Sequence, residues 1–172
     1  NHPDRFAMNL INSLLGASMS SRLFQTVREK LGLAYSIYSY LNRHSDAGSL
    51  IVYGGTSPED VPQLIDVTLN QLRSLKNERI PEQQLQMTKE QLKGGLLLSL
   101  ESSDNRMSRL AKGEIFMGRQ YGIEEVVKEI DMVTPDTILD LTNQLFVDDS
   151  LNLQMVGRID PGLITVDALR LS

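Results

Sequence analysis

The hydrophobic pattern of this chain changes from helical to alternating around Gly32, and that change constrains the fold more than any other feature. Before this glycine, apolar residues recur every three or four positions, as on one face of a helix. Glycine commonly ends helices because it adopts the left-handed conformation without a steric penalty. From Ala34 the side chains alternate, which predicts a strand with Tyr35, Ile37, Ser39 and Leu41 on one face and Ser36, Tyr38, Tyr40 and Asn42 on the other.

Two further strands are predicted. The segment "RHSDAGS" is typical of a turn, and "SLIVYGGT" after it is typical of a strand. Strands this close in sequence predict an antiparallel hairpin, because a parallel pair needs a long crossover connection. Near the end of the chain, "SLNLQMVGRI" also alternates and predicts a strand with Leu151, Leu153 and Met155 on one face.

Helices are predicted on both sides of the hairpin. The first begins near Pro3 and ends at Gly16, and the second begins after a cap at Ser20 or Ser21. The apolar face of the second helix contains Leu23, Phe24, Val27 and Leu31. Five helices follow the hairpin, and they begin at "SPEDV", at Glu82, in "SSDNRMSRLAKGEIFMGR", in "GIEEVVKEIDMV" and at the Thr134 cap. In the first of these, Ser57 and Asp60 form a variant of the capping box, with aspartate in place of glutamate.

This order predicts an α+β domain in which helices pack on one face of a mostly antiparallel sheet. The length of 172 residues fits one domain or two very small ones. Three strands are few for so many helices, so we expect another strand upstream of Asn1 and interpret the chain as a fragment.

Composition excludes several classes of function. The net charge is −5, and the basic residues alternate with acidic ones, which argues against a nucleic-acid partner. No apolar run approaches the roughly 18 residues of a membrane helix, so we expect no membrane association. The chain has no cysteine, which excludes disulfides and thiolate metal sites and is typical of a reducing compartment such as the cytoplasm.

The residues also argue against a metal site in this chain. Its two histidines, His2 and His44, belong to no His-Glu-x-x-His or His-x-x-Glu-His arrangement. No Gly-x-Ser-x-Gly segment nominates a nucleophile. We therefore predict no bound metal in this chain, whereas counting residues alone does not exclude a Ser–His–acid triad.

Arg28 and Tyr35 are the remaining candidates for a site, because they flank the helix end at Gly32. The turn between helix and strand brings them to one rim of the domain. An arginine fork and a phenol suit a peptide carbonyl, a carboxylate or a developing oxyanion. The alternative is that Arg28 only complements the helix end and Tyr35 only packs at the sheet edge. The residue pattern alone favours this simpler interpretation.

Four colinear segments, "SSRLFQTVREKLGLAYSIYSY", "GSLIVYGGTSPEDV", "LKGGLLLSLESSDNRMSRLAKGEIFMGR" and "IDMVTPDTI", resemble the C-terminal half of pitrilysin-type (M16) zinc peptidases. The branch with mitochondrial processing peptidase and its bacterial relatives is the most similar. The resemblance implies an M16 domain over residues 1–159, lacking its first strand, and a tail over residues 160–172. One departure is the loop Gly16-Ala17-Ser18, where this branch commonly has three glycines.

The resemblance implies a division of labour between two halves. Zinc is expected in an N-terminal half or a partner subunit, and this chain is expected to be inactive alone. Arg28 and Tyr35 match the pair that holds the backbone of a peptide or unfolded protein substrate in a closed chamber. The alternatives are a non-catalytic structural subunit of the same fold and a peptide-binding module. An exposed sheet edge also allows a homo-oligomer, and the tail could pair with that edge.

Overall fold

The predicted hairpin is present in the computed structural model, which describes residues 2–44, 46–160, 162–165 and 168–171. Strand β1 (Ser36–Arg43) pairs antiparallel with β2 (Gly48–Gly55). Ser36 lies opposite Gly55, and Arg43 lies opposite Gly48. These two strands form the whole sheet in the described part of the chain.

The helices follow the predicted order. Their bounds are α1 (Arg5–Leu15), a π-helix (Phe24–Lys30), α2 (Val61–Asn77), α3 (Glu82–Ser99), α4 (Ser103–Lys112), α5 (Ile123–Met132) and α6 (Pro135–Leu145). A second π-helical turn, Gly113–Met117, extends α4. No described helix combines the length and the apolar character that crossing a bilayer requires.

The core forms around α1, which packs against β1, α3, α5 and α6. Its apolar face is buried as the sequence predicts, with Phe6, Leu10, Ile11, Leu14 and Leu15 in the core. Ile37 is buried on the inner face of the hairpin, whereas Tyr38 and Tyr40 on the outer face are exposed. The predicted α+β class, with helices on one face of an antiparallel sheet, is therefore confirmed.

The predicted strand near Leu151 is wrong. Residues 151–156 form no strand, and Val156 is fully exposed. A strand exists only when a neighbouring backbone supplies its ladder hydrogen bonds, and no described segment supplies them here. Alternation along a sequence predicts which side chains would share a face and says nothing of that partner.

Two local details also differ from the prediction. Leu31 is exposed instead of sharing the apolar face of its helix. The helix is of the π type there, with Leu31 N–H donating to the Thr26 carbonyl at 3.1 Å, and its wider turn rotates Leu31 outward. The capping box does not form, because the Ser57 hydroxyl donates to the Asp60 carboxylate at 2.7 Å. An aspartate side chain is one carbon too short to replace the usual glutamate in that motif.

The end of the chain packs against the domain. Leu171 is buried in the core, and its N–H donates to the Asp148 carboxylate at 2.6 Å. Arg73 of α2 donates to the Arg170 carbonyl at 2.6 Å. The described residues of the tail therefore contact the helical layer and form no strand at a sheet edge.

Candidate functional site

Arg28 and Tyr35 are held on either side of a tight connection between the π-helix and β1. Gly32 has a φ of 62°, the left-handed conformation that ends the helix. Leu33 N–H then donates to the Val27 carbonyl at 2.9 Å. Because Leu33 and Ala34 are both buried, the chain is anchored immediately before Tyr35.

A hydrogen bond from β2 holds the same connection from the other side. The Thr56 hydroxyl, just after the end of β2, donates to the Leu33 carbonyl at 2.5 Å. The connection is thus bonded to both the helix before it and the strand opposite. The position of Tyr35 relative to Arg28 follows from backbone contacts of buried residues and not from the two side chains alone.

The structure brings the two predicted site residues into contact. The guanidinium carbon of Arg28 lies 4.5 Å from the centroid of the Tyr35 ring and 4.9 Å from that of the Phe24 ring. A cation at this distance is attracted by the quadrupole of an aromatic ring. Arg28 Nε also lies 3.8 Å from the Glu29 carboxylate, which is too long for a hydrogen bond.

The hydrogen-bonding groups of the pair remain available. Neither the Arg28 guanidinium nor the Tyr35 hydroxyl hydrogen-bonds to another described residue, and the Tyr35 side chain is 80% exposed. The attraction of a guanidinium to the face of a ring uses its charge and none of its five N–H hydrogen-bond donors. The pair can therefore donate several hydrogen bonds to an acceptor that approaches from solvent.

Alternation predicted that Tyr35 shares a face with Ile37. In the structure Ile37 is buried, whereas Tyr35 is exposed and does not lie on that face. It lies one residue before β1 begins, where the backbone has not yet entered the regular pleat. Strand faces follow from alternation only inside the strand, so the pattern could not place this residue. The faces predicted for Tyr38 and Tyr40 are confirmed.

The outer face of the hairpin holds three exposed tyrosines. Tyr38 stacks on Tyr53 of β2 with ring centroids 5.0 Å apart, and Tyr40 is 6.1 Å from Tyr38. The Tyr53 hydroxyl lies over Gly55, where an added Cβ would be 3.7 Å from it. Since Gly55 pairs with Ser36, the aromatic row extends along the sheet toward the end at which Tyr35 lies.

Arg22, which the sequence pattern did not single out, connects the segment before the π-helix to α2. It donates to the Ser74 hydroxyl of α2 at 2.9 Å, and Ser74 donates to the Glu78 carboxylate at 2.7 Å. Burial lowers the pKa of Arg22, and the negative charge of Glu78 opposes that effect. This chain of contacts ties the beginning of the π-helical segment to the end of α2. The hydrogen bonds depend on tertiary packing, which leaves no signal in the sequence.

Zinc does not fit the described residues of this chain. No three histidine, aspartate or glutamate side chains among them come close enough together to hold a metal ion. His2 lies 3.2 Å from the Asp4 carboxylate at the start of α1, and His44 follows β1 in the hairpin turn. Structural and catalytic zinc sites need at least three protein ligands, so no step here is derived through a metal.

Residues 1–92 match the family described as the peptidase M16 inactive domain. The uncharacterized zinc protease YmxG of Bacillus subtilis is 42% identical over 148 residues, which cover 86% of this chain and 36% of that protein. An uncharacterized zinc protease of Mycobacterium tuberculosis is 41% identical over 134 residues, covering 78% of this chain and 31% of that protein. The chain thus spans about a third of the length of these curated relatives.

Solved structures share the fold. A peptidase M16 inactive domain from Pseudomonas fluorescens superposes with a TM-score of 0.73 at 23% identity, over 83% of this chain and 34% of that one. A chain of Complex III2 from Candida albicans superposes with a TM-score of 0.75 at 20% identity, over 86% of this chain and 37% of that one.

Proposed function

The chain belongs to the peptidase M16 family, as an inactive domain of the C-terminal type, and from this premise we propose that it is the substrate-binding half of a zinc-dependent endopeptidase. In this proposal the chain binds a peptide or an unfolded protein inside a closed chamber. The bond is cleaved by a zinc-bearing half, which is either fused to this chain or a separate subunit. Both relatives are named as zinc proteases, which supports a zinc site outside this chain.

The observation that carries this proposal is the contact between Arg28 and Tyr35. Both side chains reach solvent with unused donors. The buried Leu33 and Ala34 fix the backbone between them. The acceptors of an extended peptide are its backbone carbonyls. A guanidinium edge and a phenol hydroxyl can bind one such carbonyl or two neighbouring ones, and the same donors can stabilise an oxyanion.

The partner and the location complete the proposal. The domain would close against an N-terminal M16 half, so that the Arg28 and Tyr35 donors face a metal supplied from the opposite side. The domain would act in the bacterial cytoplasm, a location that the bacterial origin of these relatives supports. Self-association through a hairpin edge remains a prediction.

The test compares Arg28→Ala and Tyr35→Phe in the assembled protease, meaning this chain together with its zinc-bearing half. The probe is a fluorescence-quenched peptide spanning a bond that the assembled protein cleaves in unfolded casein. We expect kcat/KM to fall in both variants while the zinc content stays at the wild-type value. Tyr40→Phe is the matched control, because it removes one hydroxyl from an exposed tyrosine of β1.

Three results would contradict the proposal. Full turnover in both variants would show that the pair does not bind substrate. Absence of peptide cleavage by the wild-type assembly, with no zinc bound, would favour a non-catalytic structural subunit. Peptide binding by this chain without any partner half would instead favour an independent peptide-binding module.

A further inference from the structure

Phe24 is an aromatic residue that lies outside the buried core. It lies one turn before Arg28 in the π-helix and is half-buried. Its neighbours Leu23 and Val27 are fully buried in the core, whereas Phe24 is not among the partly buried hydrophobic residues that pack against the core. Part of the Phe24 ring is therefore left for contacts outside the core.

The contact that Phe24 does make is with the guanidinium of Arg28, at 4.9 Å from its ring centroid. Tyr35 contacts the same guanidinium at 4.5 Å. The two rings make no stacking contact with each other in the described part of the chain. Each ring therefore restrains the guanidinium separately, one from the helix and one from the connection to β1.

Such restraint matters for an arginine that binds by its edge. A free arginine side chain samples many rotamers, and ordering it on binding costs entropy. Contacts with two rings restrict the guanidinium before a ligand arrives, and they use none of its N–H donors. An arginine without these contacts would provide the charge without that restraint.

We propose that Phe24 is a positioning residue of the substrate site, which orients the Arg28 guanidinium toward the backbone carbonyls of a bound peptide. The inference rests on the proposed function of Arg28 and adds a residue that touches no substrate itself. Phe24 acts through Arg28, so its effect on turnover exists only while Arg28 is present.

The test is a double-mutant cycle in the assembled protease with the quenched peptide described above. Phe24→Leu should lower kcat/KM by about 2- to 30-fold, the range expected for loss of a cation–π contact. Phe24→Tyr keeps a ring and should retain wild-type kcat/KM. On the Arg28→Ala background, Phe24→Leu should cause no further loss. Phe116→Leu, the same change at an exposed phenylalanine distant in sequence, is the matched control.

A second readout does not depend on activity. The NMR order parameter of the Arg28 Nε–H bond should fall in Phe24→Leu and stay at the wild-type value in Phe24→Tyr. If Phe24→Leu does not fold, as judged by its thermal unfolding midpoint, Phe24→Met takes its place in both measurements.

The outcomes separate this inference from the function on which it rests. If Arg28→Ala lowers turnover but Phe24→Leu does not, the positioning role is wrong and the proposed function stands. If Phe24→Leu is equally costly with and without Arg28, its role is structural and the inference is overturned. If Arg28→Ala keeps full turnover, the positioning inference fails whatever the order parameter shows, and the proposed function fails with it only if Tyr35→Phe also keeps full turnover.

Discussion

Gly16 and Ser39 approach each other so closely that only glycine fits at the first position. Ser39 N–H donates to the Gly16 carbonyl at 3.1 Å, and a Cβ added to Gly16 would lie 2.6 Å from that same nitrogen. The Ser39 hydroxyl also donates to the Asn12 side chain at 2.8 Å. The C-terminal end of α1 is therefore bonded directly to the middle of β1.

Gly16→Ala should destabilise the domain by about 1–3 kcal/mol, because the new methyl group overlaps backbone and one element must move. Urea unfolding of the purified chain measures this loss. Ser39→Ala should not rescue Gly16→Ala, since the backbone nitrogen of residue 39 remains in place. Rescue would show that the obstruction comes from the serine hydroxyl, which an added Cβ would meet at 2.7 Å, and not from the backbone.

Tyr38 and Tyr53 should stabilise the hairpin through their stacked rings. Directly opposed aromatic pairs on a sheet contribute about 0.5–1.5 kcal/mol beyond their buried area. We expect a double-mutant cycle of Tyr38→Ala and Tyr53→Ala, measured by urea unfolding, to give a coupling energy in that range. A cycle of Tyr40→Ala with Tyr53→Ala is the comparison, because no ring contact joins those two residues in the described structure, and its coupling should be smaller. Equal couplings would contradict a specific stacked pair.

Asp136 should make the stability of the domain depend on pH. Arg79 donates to its carboxylate at 2.7 and 3.2 Å, and this bonding lowers the pKa of Asp136 below its ordinary value of 3.8. A carboxyl group whose pKa is lower in the folded state stabilises that state above its unfolded pKa. The stabilisation is lost as the pH falls through the folded pKa.

We therefore expect wild type to be more stable than Asp136→Asn at neutral pH and the difference to disappear in acid. The urea midpoint measured across that pH range provides the test. Asp140→Asn is the control, because Asp140 is an exposed carboxylate on the same helix and has no ion-pair partner among the described residues. It measures the effect of losing one negative charge without losing an ion pair. A difference that is constant at every pH would contradict the proposed ion pair.

Most of the fold could be predicted because it depends on local periodicity. The buried face of α1, the hairpin, and the Thr134 cap of α6, whose hydroxyl accepts from Thr137 N–H at 3.1 Å, all follow from residues near one another in sequence. The strand at residues 151–156 could not be predicted correctly, because its existence depends on a partner that alternation does not specify.

The site was predictable only in part, for the same reason. Arg28 and Tyr35 flank a helix end that is visible in the sequence, so their proximity could be expected. Phe24 was assigned to the apolar face of a helix because a phenylalanine at helical spacing is usually a core residue. Its contact with Arg28 depends on side-chain rotamers and on the path of the connection, which the spacing of residues does not encode.

Gly32 should be the glycine at which the site is most easily disturbed without any steric overlap. Its φ is 62°, and an added Cβ would meet no atom within 4 Å. Any loss of stability in Gly32→Ala therefore comes from the left-handed backbone alone, which costs a non-glycine residue about 1–2 kcal/mol. Relief of that strain would move the connection to Tyr35, so we expect kcat/KM of the assembled protease to fall as well.

Gly95→Ala is the matched control, because the same methyl group is added in the interior of α3, again with no atom within 4 Å. There the backbone is helical, and alanine should stabilise the domain by about 0.5–1 kcal/mol. In urea unfolding, the change in the free energy of unfolding should therefore have opposite signs in Gly32→Ala and Gly95→Ala. If Gly32→Ala were as stable as wild type with unchanged peptide turnover, the left-handed turn would not be what holds Tyr35 beside Arg28.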